Sequence, residues 1–133
     1  MAGEISMTVV GNLVADPELK FTPSGVAVAN FTVASTPRTF DRESGEWRDG
    51  EATFLRCAAW RGLGENIAAS LTKGSRVVVT GALRVRGFTR DDGSKGTSVE
   101  MDVNECGPSL AFAVAIPSKV SRVSERGSHA ASA

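Results

Sequence analysis

Apolar and polar residues alternate through most of this chain, and clusters of turn-forming residues cut the alternation into segments. Residues 5–14, "ISMTVVGNLV", make a β-rich run interrupted by Gly11, which predicts a bulge or bend. "DPE" at 16–18 and "TPSG" at 22–25 read as turns, and "VAVANFTVAS" (26–35) as a second strand rich in small and β-branched residues. The polar stretch 36–51, with Ser-Gly at its centre, reads as a long hairpin loop leading into a third strand, "ATFLRCAAW" (52–60).

The period then changes. Leu63, Ile67 and Leu71 recur every four residues, which predicts a short amphipathic helix over 62–74 with Gly74 at its stop. A strand follows at 75–86 with Val77, Val79, Leu83 and Val85 on one face. Residues 87–97 form a hairpin tip around Asp92-Gly93, and 98–105 the returning strand, with Val99, Met101 and Val103 inward. Five strands with one helix between the third and fourth is the order of an OB-fold, an all-β Greek-key barrel. That domain is expected to occupy residues 1–109.

Alternation resumes in "LAFAVAI", so 110–117 is expected to be an extra C-terminal strand. Leu110, Phe112, Val114 and Ile116 would form one apolar edge, which invites aggregation if left bare and is therefore expected to pair across a subunit boundary. The Ser/Arg/Ala-rich remainder, 118–133, lacks periodicity and is expected to be disordered.

The same alternation sorts the charged and aromatic residues onto one side. In 81–96, "GALRVRGFTRDDGSKG", every second residue from Arg84 gives Arg84, Arg86, Phe88 and Arg90, with aliphatics between the first of them. In 53–60 the even positions are Phe54, Arg56, Ala58 and Trp60. Rings that stack on bases, set among guanidiniums that meet phosphates, are what gripping a single-stranded nucleic acid requires. The competing reading is that an aromatic on a barrel strand fills the core and an arginine row is a solvated face. Recurrence of the pattern on two strands favours the binding surface.

Composition narrows the classes. The chain has 133 residues with 15 basic and 15 acidic side chains, so a simple polycation is excluded and any basic surface must be local. No apolar run approaches the ~18 residues of a membrane span, and "MAGEISMTVVGNL" lacks the basic start of a secretory signal. A cytoplasmic protein with reduced thiols is expected. Cys57 falls on the inward face as a buried, inert thiol, while Cys106, beside Gly107-Pro108, is more accessible, with an inter-subunit disulfide as the alternative. One histidine, His129, leaves no material for a metal site or a histidine-dependent catalytic set, so neither cofactor nor catalytic residue is assigned.

Residues 9–35, "VVGNLVADPELKFTPSGVAVANFTVAS", 53–88, "TFLRCAAWRGLGENIAASLTKGSRVVVTGALRVRGF", and 98–110, "SVEMDVNECGPSL", resemble the bacterial single-stranded DNA-binding proteins. The piece "GPSLAFAVA" is similar to the extension of actinobacterial members, in which an added strand clamps two subunits. The resemblance implies an OB-fold homotetramer that wraps single-stranded DNA in replication, recombination or repair, in the cytoplasm and associated with the nucleoid. It implies stacking by Phe54, Trp60 and Phe88, with Phe40 near a further stacking position. Lys20, Arg56, Lys73, Arg84 and Arg86 match basic positions that approach the DNA backbone. Trp47, at the tip of "ESGEWRD", has no counterpart and is either an extra platform or a packing anchor.

The chain departs from that pattern in three places. Phenylalanine stands at 54 and 88 where tryptophan is common, Leu55 replaces a histidine found in some members, and the end "SERGSHAASA" lacks the acidic segment tipped by Pro-Phe that recruits replication and repair enzymes. That ending fits either a specialised paralogue or a trimmed chain. The alternative function is a protein-interaction module built on the same barrel. An enzyme ranks third, for want of a nucleophile–histidine pair or a phosphate-cradling loop.

Overall fold

In a computed structural model of the chain, residues 4–121 are described, and the last part of the tail expected to be disordered lies outside them. The elements run β1 (Ile5–Leu13), β2 (Glu18–Phe21), β3 (Ala27–Ser35), β4 (Arg38–Asp41), β5 (Glu46–Asp49), β6 (Thr53–Trp60), α1 (Arg61–Ser70), β7 (Arg76–Thr89) and β8 (Lys95–Pro108). Six strands form one sheet in the order β1-β7-β8-β6-β3-β2, and a further β1–β3 pairing closes it into a barrel. β6 and β8 pair in parallel, the remaining ladders being antiparallel. This is the OB-type barrel anticipated from the strand and helix order.

Closure depends on β1. Its first part pairs with β7 from Ile5↔Leu83 to Asn12↔Arg76, and its end also pairs with β3 at Asn12↔Ala34 and Leu13↔Val33. Gly11 sits where the strand begins to serve both partners. A Cβ there would collide with the Ala34 carbonyl oxygen and lie 2.7 Å from Val33 Cγ1, so only glycine permits this approach. The β7 ladder runs through Gly11 without a register shift, so the interruption is a close approach and not a bulge. The irregularity falls instead between Thr80 and Gly81, on β7 against β8.

The core gathers Leu13, Phe31, Val33, Cys57, Ala59, Val77, Val79, Met101 and Val103 from the strands and Ile67 and Leu71 from the helix side. Helix α1 ends earlier than its apolar period suggests. Leu71 is its extended C-cap and still reaches the core, while Gly74, at φ +89°, serves the Thr72–Ser75 turn. Its N-cap residue, Trp60, makes no side-chain capping bond, and packing of Ile67 and Leu71 into the core holds the helix in place.

Other expectations differ in informative ways. The loop expected at 36–51 is itself a hairpin, β4–β5, forming a separate two-stranded sheet with ion pairs Arg38–Asp49 (3.3 Å) and Arg48–Asp41 (3.0 Å). Val85 and Val99, expected inward, are exposed. They oppose each other on β7 and β8 beyond Ile5↔Leu83 and Arg56↔Glu100, the last positions at which β1 pairs with β7 and β6 with β8, so the hairpin runs on past its neighbours in the sheet. Residues 110–117 form no strand within the single chain. Leu110, Phe112, Val114 and Ile116 are all exposed, with Phe112 lying 5.6 Å from the Arg76 guanidinium.

Candidate nucleic-acid interface

The site begins on β6. Its inner residues Cys57 and Ala59 are buried, which turns Phe54, Arg56 and Trp60 outward, and all three are exposed. Pairing carries this face across the sheet. Arg56 lies opposite Thr32 on β3 and Glu100 on β8, and Glu100 lies opposite Arg84 on β7. Trp60 faces Val28, which in turn faces Lys20 on β2. Arg86 and Phe88 continue along β7 from Arg84. Residues in register share a sheet face, so Lys20, Phe54, Arg56, Trp60, Arg84, Arg86 and Phe88 stand on one continuous surface.

Phe88 is supported from below its own hairpin. Arg90 places its guanidinium carbon 5.1 Å from the ring centroid and donates to Lys95 O (3.1 Å) and Ser94 Oγ (3.4 Å). Gly96 is the ring's cross-strand partner, and a Cβ there would come within 2.6 Å of both Phe88 Cζ and Arg90 Nη2. Arg90 thus engages both the ring and, through Nη1, the turn, while its side chain stays exposed. The tip is fixed by Asp92, whose Oδ1 accepts from Ser94 N (2.9 Å) and Ser94 Oγ (2.7 Å). These bonds hold the Asp92 carboxyl below the usual carboxylate range.

The remaining expected residues lie elsewhere. Phe40 and Trp47 are cross-strand partners on the β4–β5 hairpin, packed edge to face with ring centroids 5.4 Å apart, and both stay exposed. Trp47 is thus an anchor for its neighbour as well as an open ring. Lys73 sits in the loop before β7, its backbone N–H donating to Asp16 Oδ1 at 2.7 Å. Cys57 is buried and Cys106 half-buried, both free, and burial pushes their thiols up to about 12 and about 11.

Carboxylates on this face went unnoticed in the sequence. Arg84 Nη2 is 3.3 Å from Asp102 Oδ1 and 3.9 Å from Glu100 Oε1, while Arg86 Nη1 is 3.9 Å from Glu100 Oε2. Asp102 Oδ1 is buried and in ion-pair range, yet out of line for a hydrogen bond. Glu100 is only 7 % exposed and accepts a 3.4 Å hydrogen bond from Ser98 Oγ. The signal was available: with Met101 and Val103 inward, residues 100 and 102 must face the arginines. Lys20 is likewise paired, 3.0 Å from Glu18. Beside Glu100 lies a cleft of about 220 Å³, walled by Glu18, Asn30, Thr32, Arg56 and Arg86, with Asp16 and Val14 at the β1–β2 turn.

Comparison with known proteins settles the family. A profile of the single-strand binding protein family matches residues 5–109. The chain belongs to that family. It is 66% identical over 122 residues to a single-stranded DNA-binding protein of Mycolicibacterium smegmatis, covering 92% of this chain and 74% of that protein. It is 59% identical over 128 residues to a protein of the same description in Mycobacterium tuberculosis strain H37Rv, covering 96% and 78%. The crystal structure of a small single-stranded DNA-binding protein from Streptomyces coelicolor superposes with a TM-score of 0.73 at 36% identity, over 84% of this chain and 99% of that one. Family membership describes a binding protein and not an enzyme.

Proposed function

We propose that this family member binds single-stranded DNA with little regard to sequence, stacking bases on Phe54, Trp60 and Phe88 and meeting phosphates with Arg56, Arg84, Arg86, Lys20 and Lys73. The observation that carries the reading is the single exposed face on which β6 and β7 each contribute rings and guanidiniums. Each stacked base contributes roughly 1–3 kcal/mol, and any base offers a π-face, so the affinity is sequence-tolerant. Phe40 and Trp47 offer a further platform on a hairpin that stands apart from the barrel.

One OB unit covers ~4–16 nucleotides, so wrapping a longer strand takes several copies, and closed symmetric assemblies are the usual solution. A homotetramer is the form we assign. It is supported by the exposed apolar residues Ile5, Val85 and Val99 and by the unpaired run from Leu110 to Ile116, each of which a neighbouring subunit would cover. Protection of single-stranded DNA during replication, recombination and repair, in the cytoplasm at the nucleoid, follows from that activity.

The deciding experiment titrates the protein with oligo(dT) at two salt concentrations, following tryptophan fluorescence. Quenching with an affinity that falls as salt rises is the expected result. Absence of salt-sensitive binding would overturn the reading in favour of a protein-interaction module on the same barrel.

A further inference from the structure

Phe88 owes its place to two residues of its own hairpin. Gly96 is its cross-strand partner, so the two share a face of the β7–β8 ribbon. A side chain at position 96 has no room. A Cβ there would lie 2.6 Å from Phe88 Cζ, 2.6 Å from Arg90 Nη2 and 2.9 Å from Arg90 Cζ. The tip of the ring and the guanidinium thus fill the space that any other residue at 96 would occupy. Gly96 lies outside the left-handed region that Gly93, at φ +89°, adopts in the same hairpin. Backbone conformation therefore does not call for glycine at 96. What the missing Cβ provides is a seat for the ring.

Arg90 holds the ring to that seat. Its guanidinium carbon is 5.1 Å from the ring centroid, within the ~6 Å over which a cation is drawn to a π-face. Nη1 donates to Lys95 O at 3.1 Å and to Ser94 Oγ at 3.4 Å, and Ser94 Oγ donates in turn to Asp92 Oδ1 at 2.7 Å. Contacts therefore run without a break from the carboxylate at the tip to the ring. The ring remains 43% exposed, which leaves surface for a base. Ordering a side chain before binding spares the complex the cost of immobilising it, and affinity rises without a new contact to the ligand.

Resting on the DNA-binding reading above, we infer that Gly96 and Arg90 are positioning residues for the Phe88 stacking platform. Gly96 supplies the seat, Arg90 pins the ring to it, and both act through the ring. Arg90 differs in this from Arg84 and Arg86, whose charge is offered to phosphate.

The test measures oligo(dT) affinity over a range of salt for wild type, Arg90→Gln and Gly96→Ala, and for each substitution combined with Phe88→Ala. Arg90→Gln is expected to lower affinity about twofold to fivefold, the size of one exposed cation–π contact, with the slope of log affinity against log salt unchanged. Gly96→Ala is expected to lower affinity as far as Phe88→Ala does. Its urea midpoint should stay close to wild type, because the atoms the new Cβ meets are the ends of side chains. Both effects should vanish in the Phe88→Ala background. A slope reduced by about 0.7, or a loss that persists without the ring, makes Arg90 a phosphate contact and overturns its positioning role. Wild-type affinity in Arg90→Gln overturns the pin, and wild-type affinity in a folded Gly96→Ala protein overturns the seat. Should Gly96→Ala fail to fold, the Arg90→Gln cycle still decides the inference. Wild-type affinity in Phe88→Ala alone would instead refute stacking by that ring. Absence of binding by the wild type would refute the DNA-binding reading itself, so neither result is confused with a failure of positioning.

Discussion

Phe54→Ala is the cleanest perturbation of the proposed interface. The residue is 63% exposed, so most of its surface is available to a base and only about a third is covered by the protein. A phenylalanine buries at most ~150–250 Å². A third of that, at ~25 cal/mol per Å², limits the cost to stability to roughly 1–2 kcal/mol, and the compact unfolded chain makes the real figure smaller. Loss of base stacking costs about 1–3 kcal/mol of binding, which is about five- to 150-fold in affinity. The substitution leaves both tryptophans, Trp47 and Trp60, as fluorescent reporters. Titration with oligo(dT) measures the affinity, and urea unfolding of the free protein measures the stability. Wild-type affinity in a folded Phe54→Ala protein would refute the stacking role, however exposed the ring.

Arg84→Ala should weaken binding to all base compositions alike and reduce the slope of log affinity against log salt by about 0.7, the value for one phosphate on a single strand. A base-selective loss would refute a backbone contact. Gly11→Ala should destabilise the fold by about 2 kcal/mol or more, since the new Cβ meets the Ala34 backbone and Val33; a wild-type urea midpoint would refute the closure assigned to that residue. Cys57 and Cys106 have folded pKa values of about 12 and about 11, both above the ordinary 9.0. Folded and unfolded chains alike keep these protons below pH 9, so the thiols' contribution is complete there. Above it the unfolded chain ionises first, and stability should fall through pH 11–12 by up to roughly 1.4 kcal/mol per pH unit per thiol. Cys57→Ala should show a shallower decline in urea midpoint between pH 8.5 and 10.5, and an identical slope would refute the burial account. Ending the chain after Pro108 should lower resistance of the assembly to dilution, measured by light scattering; an unchanged tetramer would refute the clamp role of Leu110–Ile116.

Local alternation by itself determined most of the barrel and the outward face of β6. Phe54, Arg56 and Trp60 against Cys57 and Ala59 is a period-2 pattern, and covalent geometry sends alternate side chains to opposite faces of a strand. The same reasoning assigned Arg84, Arg86 and Phe88 correctly to an exposed face. It failed at Val85 and Val99, because periodicity names a face but cannot say how far the neighbouring strands in the sheet continue. Trp47's contact with Phe40 needed the β4–β5 register, and the role of Arg90 needed the hairpin that brings Gly96 under the Phe88 ring. Glu100 shows the division most clearly. Its direction was legible from Met101 and Val103, but its burial and its nearness to Arg84 and Arg86 arise from β8 lying between β6 and β7. Strand order is a long-range property set by barrel closure, and residues distant in sequence meet only through it.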